Sequence, residues 1–270
     1  MSNILQGKRA VVFGAGGSIG AAVSKEFAAE GAEVFLAGRT KANVEEIASQ
    51  ISKAGGTAHA AAVDALHDAA VNKYLDGIVS DFGAIDIEFN AVGPLANEYG
   101  PGKHAVDLTI EEFMLPLNTV VKSQFITARA AVRHMIKRRS GVIIFLTGSP
   151  ARGHIEGGTS IGAAFGAVEI LMENLAIEAG PHGVRAVCLR TTANVDSRTM
   201  QDISDGVSAQ MNVPKKQMQE QFSARLAGLN FLKVPASISD TAKVAALLAS
   251  DRVHFITGTT VNSTAGAALD

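Results

Sequence analysis

The pattern that most restricts the fold is a regular alternation of short apolar runs with longer amphipathic stretches. Lys8–Phe13, Glu33–Ala37, Thr57–Val63, Ile85–Phe89, Gly141–Leu146 and Val184–Leu189 are short and rich in aliphatic or β-branched residues. They lack the in/out alternation of strands with one wet face, so they predict strands buried on both sides. The stretches between them carry helical spacing. In Ser18–Gly31, Ile19, Val23 and Phe27 fall four apart; in Asn43–Ala54, Val44, Ile47, Ala48 and Ile51 form one stripe. His67–Asp81, Glu111–Arg138, Ala163–Ala179 and Asp240–Ser250 read as further helices, and Thr259–Val261 as a short last strand. Strands separated by helices, joined by right-handed crossovers, predict an α/β fold with a doubly wound parallel sheet. No linker, composition break or repeat divides residues 1–270, which predicts a single domain. The polar, Met-rich segment Asp196–Leu232 is expected to cover the sheet's carboxyl edge.

Composition narrows the function. With 47% hydrophobic and 19% charged residues over 270 positions, the chain can bury a core and is not disordered. Lys plus Arg number 24 and Asp plus Glu 26, a balance that gives no pull toward nucleic acid or an anionic membrane. The single cysteine, Cys188, excludes an internal disulfide and a Cys-cluster zinc site. No secretory signal pattern opens the sequence, and no uninterrupted apolar stretch approaches the roughly 20 residues of a membrane span. A cytoplasmic protein without a metal is expected.

The first strand run leads into Gly14-Ala15-Gly16-Gly17-Ser18-Ile19-Gly20. Gly14 can adopt backbone angles closed to other residues. Gly16 and Gly17 let the backbone approach a ligand, Ser18 stands where the helix begins, and Gly20 permits close packing of helix on strand. The free N–H groups of a helix start suit a pyrophosphate. The spacing departs from the six-residue Gly-x-Gly-x-x-Gly fingerprint, because position 19 is Ile. After the second strand stands Arg39, where an NAD site usually has an acid for the ribose hydroxyls. A guanidinium stacks on adenine and pairs with a 2′-phosphate, which favours NADP(H) over NAD(H).

These residues resemble the short-chain dehydrogenase/reductase superfamily, from about Gly7 to Gly266. Gly14 to Gly20 resembles the family's Thr-Gly-x-x-x-Gly-x-Gly turn, with Phe13 for Thr and Ser18 for the middle Gly. Gly38-Arg39 resembles its NADP-preferring form. Val63-Asp64 resembles its adenine-contacting Asp, and Asn90-Ala91-Val92-Gly93 its Asn-Asn-Ala-Gly segment. Asn118 and Ser149 fall where the family keeps an active-site Asn and Ser. The ending, from Leu247–Asp251 through Ile256-Thr257-Gly258 to Ala265-Gly266, is also similar. The resemblance implies a Rossmann-type fold, a dinucleotide at Gly14, Gly17, Ser18, Ile19, Gly20, Arg39, Asp64, Asn90 and Ala91, and a small-molecule substrate beside Ser149 and Asn118.

One departure bears on the chemistry. The family's Tyr-x-x-x-Lys pair falls on Ile161 and Phe165, and no Tyr or Lys occurs between Gly141 and Asn212. In the family the Tyr hydroxyl exchanges a proton with the substrate oxygen, and the Lys lowers its pKa and holds the ribose. Hydrocarbon does neither, and positioned acid–base catalysis is worth on the order of 10²–10⁴ in rate. Thr191-Thr192 likewise replaces the family's Pro-Gly. Three readings follow: hydride transfer with another proton donor (Tyr99, His154 or His104), an inactive nucleotide-binding sensor or oligomer partner, or a fold that has lost its cofactor. Lys122, one turn beyond Asn118, is a weaker candidate amine. Apolar residues on several faces of Ala163–Ala179 predict a homodimer or homotetramer; the alternative cover for them is Asp196–Leu232.

Overall fold

The computed structural model describes residues 3–95, 98–153 and 156–270. Its centre is a seven-stranded parallel sheet in the order β3-β2-β1-β4-β5-β6-β7. The strands are β1 (Arg9–Phe13), β2 (Glu33–Gly38), β3 (Thr57–Ala62), β4 (Ile87–Asn90), β5 (Gly141–Gly148), β6 (Val184–Thr191) and β7 (Thr259–Asn262). The expected Rossmann-type doubly wound sheet is thus formed, in a single α/β body. Register follows the apolar runs: Val11 sits between Phe35 on β2 and Glu88 on β4, and Glu88 between Val11 and Ile143 on β5. The inner strands are buried on both faces, whereas the edge strands β3 and β7 are largely accessible.

Nine α-helices flank the sheet in the described residues: α1 (Ser18–Ala29), α2 (Lys41–Lys53), α3 (Asp68–Phe82), α4 (Ile110–Pro116), α5 (Lys122–Arg138), α6 (Thr159–Ala179), α7 (Arg198–Met211), α8 (Lys215–Gly228) and α9 (Ile238–Ala249). One core layer lies under α1 and α9, with Val12, Leu36, Phe89 and Ile144 turned toward it. The opposite layer lies under α3, α5 and α6, with Phe13, Phe35, Ile143, Phe145 and Met172.

Three elements differ from the reading of the sequence. The long helix expected over Glu111–Arg138 is interrupted by a π turn at Leu117–Val121, directly after Pro116. Proline has no N–H and its ring crowds the carbonyl one turn earlier, so the ladder widens there. The helix expected at Ala163 starts a turn sooner, at Thr159. With the turn after it, Thr159–His182, it is long and apolar enough by length and composition to cross a membrane, although Glu169, Glu173 and Glu178 interrupt the apolar run. It packs on the sheet through Val168, Met172 and Ala176 and carries the buried acid Glu169. The weakly patterned segment after β6 forms α7 and α8; Ser197 caps α7 by accepting from the Met200 N–H.

Candidate functional site

The strand order reverses direction between β1 and β4, and a crevice opens at the carboxyl ends of the strands there, as expected for open α/β sheets. Its volume is about 800 Å³, and its floor is Gly14, Gly16 and Gly17 from the turn after β1 and Ala91 to Gly93 from the turn after β4. Arg39, Thr40, Asn43 and Asp64 line one end; Thr119 and residues Arg198, Asp202 and Ile203 of α7 line other parts.

The glycine turn is fixed by sterics. Gly14 has φ +71°, and a Cβ on it would lie 2.8 Å from the Ala91 carbonyl carbon. A Cβ on Gly20 would lie 2.2 Å from the Gly14 carbonyl oxygen, so α1 can start this close to β1 only with glycine there. Gly17 is the N-cap of α1 and has no side chain to cap it. The first-turn N–H groups at Ser18, Ile19 and Gly20 therefore lack the partners a Ser or Asp cap would provide. An open helix start next to bare glycine backbone suits a diphosphate, so the residues present fit a dinucleotide.

The cofactor residues expected from the sequence divide into two groups. Gly14, Gly17, Arg39, Asp64 and Ala91 line the crevice. Asp64 is exposed, and its Oδ1 also accepts from the Leu66 N–H at 2.9 Å, so it shapes its own turn. Asn90 does not face the crevice. It is buried beneath it, donating to Thr127 Oγ1 at 2.9 Å and accepting from the Val92 N–H at 2.8 Å. Its role here is to hold the turn that presents Ala91. Ser18 turns its hydroxyl toward α7, where it accepts from the Arg198 N–H at 3.0 Å.

The two expected catalytic residues are not brought together with the crevice floor in the same way. Ser149, at the end of β5, is buried, and its hydroxyl lies 3.4 Å from Thr192 Oγ1 after β6. Thr192 stands where the sequence departs from Pro-Gly, so the departure adds a hydroxyl beside the serine. Asn118 is exposed on the π turn; its neighbour Thr119 is the residue that lines the crevice. The widened turn shifts the face presented there, which spacing in the sequence does not reveal. Lys122 is exposed on α5.

Ile161 and Phe165 are half-buried and pack against the core layer under α6. The Phe165 ring lies against Gly148, the residue before Ser149: a Cβ on Gly148 would come within 2.9 Å of it. Hydrocarbon thus occupies the helix face next to the serine. Of the two tyrosines in the chain, Tyr74 is core, edge-on to Phe13, with its phenol pKa raised by burial. Tyr99 is half-buried in the loop after β4, and its backbone carbonyl accepts from Ser160 Oγ at 3.2 Å. That bond ties the loop to the turn of α6 that holds Ile161. Burial raises the Tyr99 phenol above its ordinary value, so it stays protonated at neutral pH. His104 pairs with Glu156 at 3.4 Å on the surface. His154 lies outside the described residues.

Behind Ser149 lies a group of charges that motif spacing did not indicate. Glu169 of α6 takes a bidentate pair from Arg190 of β6, at 2.8 Å and 2.9 Å, and a third contact from Arg152 at 3.3 Å. Arg190 also binds Asp270, and Thr147 of β5 donates to Glu169 at 3.3 Å. Only the polar residues at 169 and 190, in otherwise apolar runs, hinted at it.

Comparison with known proteins agrees with the geometry. The family model for short chain dehydrogenases matches residues 8–208. A short chain aldehyde dehydrogenase of Euphorbia lathyris is 28% identical over 95% of this chain and 86% of its own length. A 3beta-hydroxysteroid dehydrogenase of Eggerthella lenta is 28% identical over 100% of this chain and 97% of its own. An NAD+-bound xylitol dehydrogenase superimposes with a TM-score of 0.84 at 24% identity, covering 96% of this chain and 98% of that one. A glycine turn at the switch point of a seven-stranded parallel sheet, together with a family match over most of the sequence, leads to one assignment: the chain belongs to the short chain dehydrogenase family.

Proposed function

We propose that this chain binds NADP(H) in preference to NAD(H) and acts as an oxidoreductase on a small organic carbonyl, alcohol or related group, through a non-standard active site. The observation that carries the cofactor preference is Arg39. It follows β2, lines the crevice, is exposed, and forms no ion pair among the described residues. A planar guanidinium there can take a phosphate bidentately and stack on a purine. The glycine turn and the open start of α1 would hold the diphosphate, and Ala91 the chain's approach to the sugar. Bound there, the nicotinamide ring would supply hydride exchange with the substrate carbon.

The remaining chemistry falls to this chain's own groups. The Ser149 hydroxyl, with Thr192 next to it, donates a hydrogen bond to the substrate oxygen. Ile161 and Phe165 exclude water and make that wall apolar. Tyr99, whose backbone carbonyl is tied to the start of α6, is the residue proposed to give the proton in place of the missing pair. The apolar wall packing of Ile161 and Phe165 also favours a second reading, a nucleotide-binding protein without turnover, acting as a redox sensor or oligomer partner.

Two measurements test this. Cofactor fluorescence titration should show Arg39→Ala weakening NADPH by about 10–100-fold, the scale of a charge-assisted hydrogen bond, with NADH changed by less than about threefold. Equal losses would remove the 2′-phosphate assignment. Across a carbonyl panel, Tyr99→Phe should lower kcat by about 100-fold or more with little change in NADPH affinity. Tight NADPH binding by the wild type with no oxidation of NADPH by any carbonyl would leave the sensor reading in its place. For assembly, α5 and α6 carry exposed Phe125, Ile170 and Ile177, an apolar surface that a homodimer or homotetramer would cover.

A further inference from the structure

The cover segment carries a cation whose position the family resemblance does not explain. Arg198, the first residue of α7, lines the crevice together with Gly14, Gly16 and Gly17. Its backbone N–H donates to Ser18 Oγ at 3.0 Å, across 180 residues of sequence. Ser18 stands at the start of α1, beside the open N–H groups, so the bond joins the first turn of the cover to the first turn of the phosphate helix. The Arg198 side chain is 85% exposed and meets Asp202 at 3.8 Å. A pair that long and that exposed contributes little, so the guanidinium is free to exchange it for a better anion.

We propose that Arg198 is a second diphosphate ligand, placed by the Ser18 bond to face the glycine turn across the crevice. The dinucleotide's diphosphate would then be held from two sides, by backbone N–H groups of α1 and by a guanidinium from the cover. Arg39 would hold the 2′-phosphate at the other end. The two arginines divide the labour: one reads which cofactor, the other couples any dinucleotide to closure of α7. This also gives Ser18 a purpose in a position where a glycine would serve the turn. The proposal rests on the dinucleotide reading above.

The test uses the full chain with NADPH, NADH and adenosine 2′-monophosphate, which lacks the diphosphate. Arg198→Ala should weaken NADPH and NADH by the same factor, about 10-fold, and leave adenosine 2′-monophosphate unchanged. Arg198→Lys should recover part of the loss. In hydrogen exchange, NADH should protect residues 197–203 in the wild type and much less in Arg198→Ala. Ser18→Ala, which removes the acceptor, should lower that protection with the guanidinium still present. Arg198→Ala binding NADH as the wild type does would overturn this proposal alone, as would a loss shared equally by adenosine 2′-monophosphate. A wild type that bound none of the three would overturn the dinucleotide reading and this proposal with it.

Discussion

Replacing Glu169 by alanine is expected to destabilise the protein by about 3–5 kcal/mol, the usual cost of removing one partner of a buried ion pair. For a domain of this size that is a fall in Tm on the order of 10 °C. Glu169 and Arg190 are both 1% exposed, and the carboxylate accepts both arms of the guanidinium. Without it Arg190 retains the Asp270 contact but loses the acid that satisfies its buried nitrogens. Arg152, half exposed, can turn to water and contributes little to the loss. The pair itself need not be worth that much. Taking two charges out of water is expensive, so a double replacement by Leu at 169 and Met at 190 should restore most of the stability. Thermal unfolding of the two single variants and the double variant measures the coupling. A Glu169→Ala variant that melts with the wild type would show that the network is solvated in solution. A double variant no better than the single one would show that packing, not charge, sets the cost.

Glu88 should make the protein lose stability as pH rises from about 4.5 to about 8. It sits in the middle of the sheet, between Val11 and Ile143. It is 1% exposed, and its Oε1 has no hydrogen-bond partner among the described residues. Burial pushes its carboxyl up to about 8, against a smaller opposing effect of a hydrogen bond with Thr127. Below its ordinary value of 4.5 both folded and unfolded chains hold the proton, and the group has no effect. Between the two values the unfolded chain releases a proton that the folded chain keeps, so unfolding gains about 1.4 kcal/mol per pH unit. Above about 8 both states are ionised and the penalty levels off, near 5 kcal/mol on this scale. Glu88→Leu removes the titrating group and suits the apolar register of β4. Urea unfolding at intervals from pH 5 to pH 9 should show wild type and Glu88→Leu diverging, with the variant the more stable at high pH. Parallel curves would mean that Glu88 is hydrated in the folded state and titrates near its ordinary value.

Much of the fold was legible because it rests on local rules. The apolar runs became strands within a residue or two, since a strand buried on both faces needs an unbroken apolar sequence. The glycine turn was legible because Gly14 and Gly20 answer steric demands that no side chain meets. Arg39 and Asp64 were placed at the crevice for the same local reason: each lies within two residues of the end of a strand there. The π turn was missed although Pro116 marks it, because Pro also occurs where a helix merely bends or ends. Asn118 stands exposed on that turn while its neighbour Thr119 lines the crevice, and Asn90 bonds Thr127 and Val92 beneath it.

By itself the sequence determined the order of strands and helices, the glycine turn after β1 and the hydrocarbon side chains at Ile161 and Phe165, because each depends on residues close together in the chain. Only the tertiary structure decided the rest: that Glu169 and Arg190 satisfy each other, that Arg198 meets Ser18, and that Tyr99 hangs beside the start of α6. Those contacts join residues 21, 180 and 61 positions apart. Charge and hydrogen bonding act through space, and which distant groups come within hydrogen-bonding distance is set by how the layers pack rather than by any periodicity along the chain.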